Sequence, residues 1–228
     1  MLHTMSSAQP EAAVGSAPTI DELLLADEPE RWSALGFTVR DGCVALGTVR
    51  VRLAGAEAGR GIIGWSLRVL ASTELDGLPT SRSQALPRQP APAHANGIVA
   101  IDHVVAMTPA LDRSLEALQA AGLPLRRIRE EPTPAGAPRQ AFFRLGAEIL
   151  ELVQEPERIV ERDGGADRPA RLWGLALLAA DLDRAVRSMA PHVGEARPAV
   201  QPGRRIATLR RSAGLAVPVA LMSAKPDR

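Results

Sequence analysis

Ile101-Asp102-His103-Val104-Val105-Ala106-Met107 is the stretch on which the reading of this sequence turns. It is short and rich in β-branched residues, with the Asn96-Gly97 turn signal before it and Thr108-Pro109 after it, which predicts a strand. Thr108 is expected to cap a helix whose first residue is Pro109. Leu111, Leu115 and Leu118 then recur at helical spacing as far as Gly122, a residue type that commonly ends helices. Leu125–Arg129 reads as a second strand, and Arg139–Leu145 and Glu148–Val153 as a hairpin about Gly146. The unit is therefore βαβββ.

The same order returns downstream. Trp173–Leu178 predicts a strand, Asp181 a helix cap, and Leu182, Val186 and Met189 a buried stripe; Arg205–Leu209 and Leu215–Leu221 bracket Gly214 as a second hairpin. Leu111-Asp112-Arg113 answers Leu182-Asp183-Arg184 at the two helix starts. A shorter third copy spans 19–54, where Ile20-Asp21-Glu22-Leu23-Leu24 answers the opening strand and Leu46-Gly47 answers Leu145-Gly146. Gly64-Trp65-Ser66-Leu67-Arg68 reads as the first strand of a fourth copy with its remainder gone.

The expected fold is α+β. It comprises a leader over 1–18, a partial module with a stray strand over 19–71, a Pro-rich linker over 72–97, a central module over 98–155, a linker over 156–170 and a last module over 171–224. A single such unit leaves a sheet edge open, so the two complete modules are expected to pair, with a small-molecule cavity between them.

Composition narrows the chemistry. Of the 228 residues 46% are apolar and 23% charged, as in globular proteins, and net charge is +1. Tyr is absent and Lys225 is the only lysine among 27 basic residues, which removes Schiff-base chemistry and a phosphate-loop lysine from residues 1–224. No polybasic block occurs, so nucleic acid is not an expected partner. The longest apolar runs are too short to span a bilayer, and Cys43 has no partner for a disulfide. Together these predict a cytoplasmic protein away from the membrane, with a small-molecule ligand and homodimerisation as a further option.

With these motifs in place, the chain resembles the vicinal oxygen chelate superfamily, which includes glyoxalases, bleomycin-resistance proteins, extradiol dioxygenases and methylmalonyl-CoA epimerases. More closely it is similar to glyoxalase-like proteins of actinobacteria. Ile101-Asp102-His103-Val104-Val105, Leu111-Asp112-Arg113 and Ala141-Phe142-Phe143-Arg144-Leu145-Gly146 with Ile149-Leu150-Glu151-Leu152-Val153 carry the likeness. The resemblance implies four metal ligands, one from the first and one from the last strand of each module. His103 and Glu151 stand at two of these positions, and Gly174 and Val219 at the others, where neither binds a metal. One divalent ion (Zn, Fe, Mn or Ni) or none is therefore implied. Glu22 offers a third ligand if 19–54 packs against the central module, with Arg52 opposing it.

A histidine among apolar strand residues is equally well a hydrogen-bonded core residue, but a carboxylate in such a strand needs a partner. His103 and Glu151 are thus expected either to hold metal or to act as a catalytic acid–base pair. Gln140, Arg204 and Arg205 are expected at the rim as substrate-binding residues, a reading that competes with an ordinary exposed turn. Two functions follow: a glyoxalase-like isomerase or lyase acting on a small oxygenated metabolite, or a non-catalytic binding protein of the sequestering type.

Overall fold

The computed structural model describes residues 17–134 and 136–225, so positions 1–16 of the expected leader, His3 included, lie outside the described residues. The first part of the chain runs β1 (Thr19–Leu25), α1 (Pro29–Ala34), β2 (Val39–Arg40), β3 (Cys43–Leu46), β4 (Val49–Leu53), β5 (Ile62–Arg68) and β6 (Thr80–Ser83). The central module is β7 (Ile98–Thr108), α2 (Leu111–Ala120), β8 (Leu125–Arg129), β9 (Gln140–Leu145) and β10 (Glu148–Gln154). After α3 (Glu157–Arg162), the last module is β11 (Arg171–Ala179), α4 (Leu182–Ser188), β12 (Arg197–Pro198), β13 (Arg205–Thr208) and β14 (Val219–Met222).

These strands form two sheets. The larger has the order β12-β13-β14-β11-β7-β10-β9-β8, and the smaller β2-β3-β4-β1-β5-β6. The two complete modules join edge to edge through antiparallel β7 and β11, which closes the open edge of each. Within each module the first and last strands lie parallel, β7 beside β10 and β11 beside β14. The fold is the repeated-βαβββ α+β architecture that the sequence predicts.

The smaller sheet is the same plan, reduced. β1 pairs parallel with β4 and antiparallel with β5, and β5 pairs parallel with β6. The backbone N–H of Trp65 donates to Pro79 O at 3.1 Å, as that of Leu175 donates to Pro218 O at 2.9 Å, so β6 stands where β14 stands. The expectation of a stray strand is corrected: the fourth copy keeps both its first and last strands and lacks the helix and middle strands. The stretch 72–97 accordingly carries β6.

Each first strand also holds an extra residue at the same point, and β7 has a second at Val99. The ladder steps past Asp21 in β1, Ile63 in β5, Asp102 in β7 and Trp173 in β11. Such a bulge interrupts strict alternation and re-aims a side chain that would otherwise face the opposite side of the sheet.

Two local expectations shift. Helix α2 starts at Leu111 rather than Pro109, because Thr108 still belongs to β7; its Oγ1 accepts from Ala110 N at 3.1 Å and contacts Ser114 Oγ at 2.6 Å. The last strand begins at Val219 rather than Leu215, since Arg211–Ala213 forms a short helical turn and Pro218 has no N–H to give a ladder. Asp181 caps α4 as expected, accepting from Arg184 N at 3.0 Å.

Leu23, Leu25, Val51, Val104, Leu150, Phe143, Leu115 and Leu118 belong to one buried cluster that runs through both sheets. Each fully buried large side chain contributes roughly 1.5–3 kcal/mol relative to exposure. The halves also meet in a reciprocal way. A Cβ on Gly47, in the β3–β4 turn, would sit 3.1 Å from Ala100 at the start of β7; a Cβ on Gly146, in the β9–β10 turn, would sit 3.0 Å from Thr19 at the start of β1. Between the halves, buried His94 accepts from Thr38 N at 3.0 Å through Nδ1 and donates through Nε2 to Ala45 O at 2.9 Å.

Candidate functional site

The larger sheet carries a cavity of about 340 Å³ lined by Asp102, His103, Phe142, Glu151, Arg127 and Arg204, among others. Its wall is built by β7 and β10, whose parallel register sets Ile149 opposite His103 and Glu151 opposite Val105. His103 and Glu151 therefore lie two steps apart on neighbouring strands and face the same side. His103 Nε2 is 3.2 Å from Glu151 Oε2.

The bulge at Asp102 brings a third member to this face. Asp102 Oδ2 lies 2.8 Å from His103 Nδ1, and its Oδ1 accepts from Arg204 Nη2 at 2.6 Å. Burial by itself would raise the Asp102 pKa, but the His103 and Arg204 hydrogen bonds and the Arg204 charge outweigh it and bring the pKa down to about 2. An ionised Asp102 accepts the Nδ1 proton and leaves the imidazole lone pair on Nε2, toward Glu151. Burial pushes the Glu151 carboxyl upward, against the nearby His103 and a hydrogen bond from Gln140. The Glu151 carboxyl, its proton affinity raised, thus faces the imidazole across 3.2 Å.

Of the other expected substrate-binding residues, Gln140 is buried on β9, with its amide nitrogen donating to Glu151 Oε1 and its amide oxygen unpartnered. It orients the carboxyl and is not at the rim. Arg204 lines the cavity but is almost wholly enclosed, donating to Ser223 O at 2.9 Å and Gln201 Oε1 at 2.7 Å as well as to Asp102. Its guanidinium supports Asp102 and is not free for substrate. Arg205, one residue on, is exposed and pairs with Asp183 of α4 at 2.8 Å. Strand alternation sends it to the helix-covered side, so it is removed from the site.

Glu22 stands in the smaller sheet at the position His103 holds in the larger, and it is ion-paired with Arg50 and Arg52. It lines a separate cavity with Trp65 and Ser81 and is not brought to His103. The third-ligand expectation is thereby corrected.

The residues do not fit the metal that the fold suggests. By register the position matching Glu151 is Ala220 rather than Val219, because Ala176 opposes Ala220 as Val105 opposes Glu151. Gly174, matching His103, has no space for a ligand: a Cβ there would lie 2.9 Å from Pro218 O. That leaves one imidazole nitrogen and one carboxyl, already facing each other, in a cavity lined by several arginines. Catalytic zinc and non-haem iron sites take three protein ligands. Among the described residues no group of three or more His, Cys, Asp or Glu is placed to hold an ion.

Strict alternation hides Asp102 and Arg126 in the sequence, and the repeat itself is the signal that could have found the first. Asp21 occupies the same step in the first copy, where it pairs with Arg68 and, at 2.5 Å, with Arg88.

No family model matches the sequence. No curated protein matches it. Among solved structures, the methylmalonyl-CoA epimerase of Mycobacterium tuberculosis is 21% identical over 58% of this chain and 92% of its own, with a TM-score of 0.46. Streptomyces coelicolor methylmalonyl-CoA epimerase with 2-nitronate-propionyl-CoA is 21% identical over 57% and 99%, with a TM-score of 0.44. A xylose isomerase-like TIM barrel/4-hydroxyphenylpyruvate dioxygenase fusion protein is 13% identical over 94% of this chain and 50% of its own, with a TM-score of 0.57. The last likeness runs through both halves of the chain, which spans half the length of that fusion protein. It shows the fold, that of the vicinal oxygen chelate proteins.

Proposed function

We propose that this protein is a metal-independent acid–base catalyst of glyoxalase-like type, an isomerase or lyase that moves a proton next to a carbonyl of a small oxygenated metabolite in the cytoplasm. The observation that carries the reading is the Asp102–His103–Glu151 line: an imidazole fixed at Nδ1 by an ionised carboxylate and facing a second carboxyl whose proton affinity is raised by burial. Acid and base are thus adjacent on one cavity wall. One member of the His103–Glu151 pair takes the carbon-bound proton, and the proton the pair already holds returns to the carbonyl oxygen or to carbon. Asp102 and Arg204 hold the tautomer, and Gln140 holds the Glu151 carboxyl.

The test is proton–deuterium exchange at the α-carbon of a panel of 2-hydroxy and 2-oxo acids, followed by NMR in D2O after exhaustive treatment with a chelator. Exchange catalysed by the treated protein and lost in both His103→Gln and Glu151→Gln is expected. Exchange that vanishes on chelation, or survives both substitutions, overturns the reading. Gly174 and Ala220 leave the opposite wall small, which favours a binding protein as the second reading. Saturable binding without exchange in any compound would establish that function instead.

A further inference from the structure

We infer that the end of the same cavity formed by β8 and β9 is a subsite for a phosphoryl group, so that the compound it takes is a phosphate monoester; this rests on the acid–base reading of the His103 end. Arg126, Arg127 and Arg144 line the cavity together. Alternation would send Arg126 and Arg127 to opposite faces, but the β8–β9 ladder steps from Leu125–Phe143 to Arg127–Phe142 and leaves Arg126 unpaired. β8 is the last strand of its sheet, so this bulge disturbs no other ladder. The same device that brings Asp102 beside His103 thus brings a second guanidinium beside Arg127.

None of these three cations is held in a close ion pair among the described residues. Among the described residues none of them lies within 4.0 Å of a carboxylate, whereas their neighbours Arg129 and Arg139 are paired, Arg129 with Glu131 at 3.6 Å and Arg139 with Glu130 at 2.7 Å and Asp112 at 2.9 Å. Glu130, Glu131 and Asp112 are therefore engaged by arginines outside the cavity. Buried Glu148 acts on Arg144, and Glu151 on Arg127, only at longer range. Two of the three side chains are held by other means: the Arg127 guanidinium lies 4.5 Å above the Phe142 ring, and Arg144 Nη1 donates to Ala147 O at 3.2 Å. Their remaining N–H groups are left for a ligand.

Charge and valence select the ligand class. A carboxylate is satisfied by one bidentate guanidinium, which would leave two cations unmatched. A phosphate monoester carries roughly −1.5 to −2 charge at pH 7 and three strong acceptor oxygens, the complement of three guanidiniums. A volume of about 340 Å³ holds a small metabolite and no polymer.

Titration calorimetry at constant ionic strength, with inorganic phosphate and glycerol 3-phosphate against acetate and glycerate, tests the subsite. Both phosphates are expected to bind at least tenfold tighter than the carboxylates. That preference should vanish in Arg126→Gln/Arg127→Gln, and Arg144→Gln should weaken it in a second, independent variant. Arg126 and Arg127 are exposed on an edge strand, and unchanged circular dichroism checks that the double variant folds. Equal binding of phosphates and carboxylates, or phosphate binding unchanged in the arginine variants, overturns the proposal. His103→Gln separates the two readings: it should bind phosphate as the parent does while losing exchange. Lost phosphate binding in the arginine variants together with exchange that persists in His103→Gln would leave the subsite standing and remove the acid–base reading.

Discussion

Arg204 and Asp102 are separated by 102 positions in the chain and by 2.6 Å in the fold. They join the two complete modules at the wall of the cavity, one contributing a loop before β13 and the other the bulge of β7. Arg204 is 4% exposed, so its removal leaves an ionised carboxylate enclosed without its cation. Arg204→Met is expected to cost about 3 kcal/mol, read from the urea midpoint, and to lower exchange activity through a mispositioned Asp102.

Asp102→Asn keeps the shape of that contact and removes its charge. The new amide oxygen stays with the Arg204 donor, so its NH2 meets Nδ1 and favours the opposite imidazole tautomer. The rate of exchange is expected to fall at least about a hundredfold while substrate affinity changes little, a difference that saturation kinetics resolves.

The depressed Asp102 pKa has a definite sign in stability. Its folded value is about 2 against 3.8 for the free group, so its contribution is complete above about pH 4 and is lost as pH falls through 2. Thermal melts between pH 5 and pH 2 should show the parent losing roughly 2 kcal/mol more than Asp102→Asn.

His94 acts at milder pH. Burial lowers its pKa below 6.5, outweighing the hydrogen bond to Ala45, and the neutral ring bridges Thr38 and Ala45. Its stabilisation is complete above about pH 6.5 and declines as pH falls below that value. His94→Gln is expected to lower the melting temperature at pH 7.5 and to flatten its slope between pH 6.5 and pH 5.

Gly174 leaves no room for a metal ligand on the wall opposite His103. Gly174→Ala forces a Cβ against Pro218 O at 2.9 Å and is expected to cost about 1–3 kcal/mol in chemical denaturation. Zinc, manganese and nickel should leave the melting temperature of the parent unchanged, because an ion that binds only the folded state would raise it.

Much of this was legible in the residues. The βαβββ order came from periodicity and turn chemistry, and the placement of His103 and Glu151 on one face came from matching two strands of the repeat. What stayed hidden has one physical origin. Alternation predicts that Asp102 opposes His103 and that Arg126 opposes Arg127, yet one added residue in each strand sets each pair on a common wall. A bulge is a property of two strands in register, and no single strand announces it. The same limit explains Arg205, which reads as the equal of Arg204 until the course of β13 separates them, and Ala220, which register rather than spacing puts across from Ala176.

The glycine contacts between the halves carry a consequence for symmetry. Gly47 rests on Ala100 and Gly146 rests on Thr19, and each pair is the repeat-equivalent of the other. Contacts in which one surface meets its own copy, with the roles exchanged, are what a two-fold homodimer makes. The join inside this polypeptide thus has the reciprocal form of a two-fold dimer interface, with both partners on one chain. The two clefts so related differ in their charges: Glu22 is ion-paired with Arg50 and Arg52 in one, and at the equivalent position of the other His103 faces Glu151.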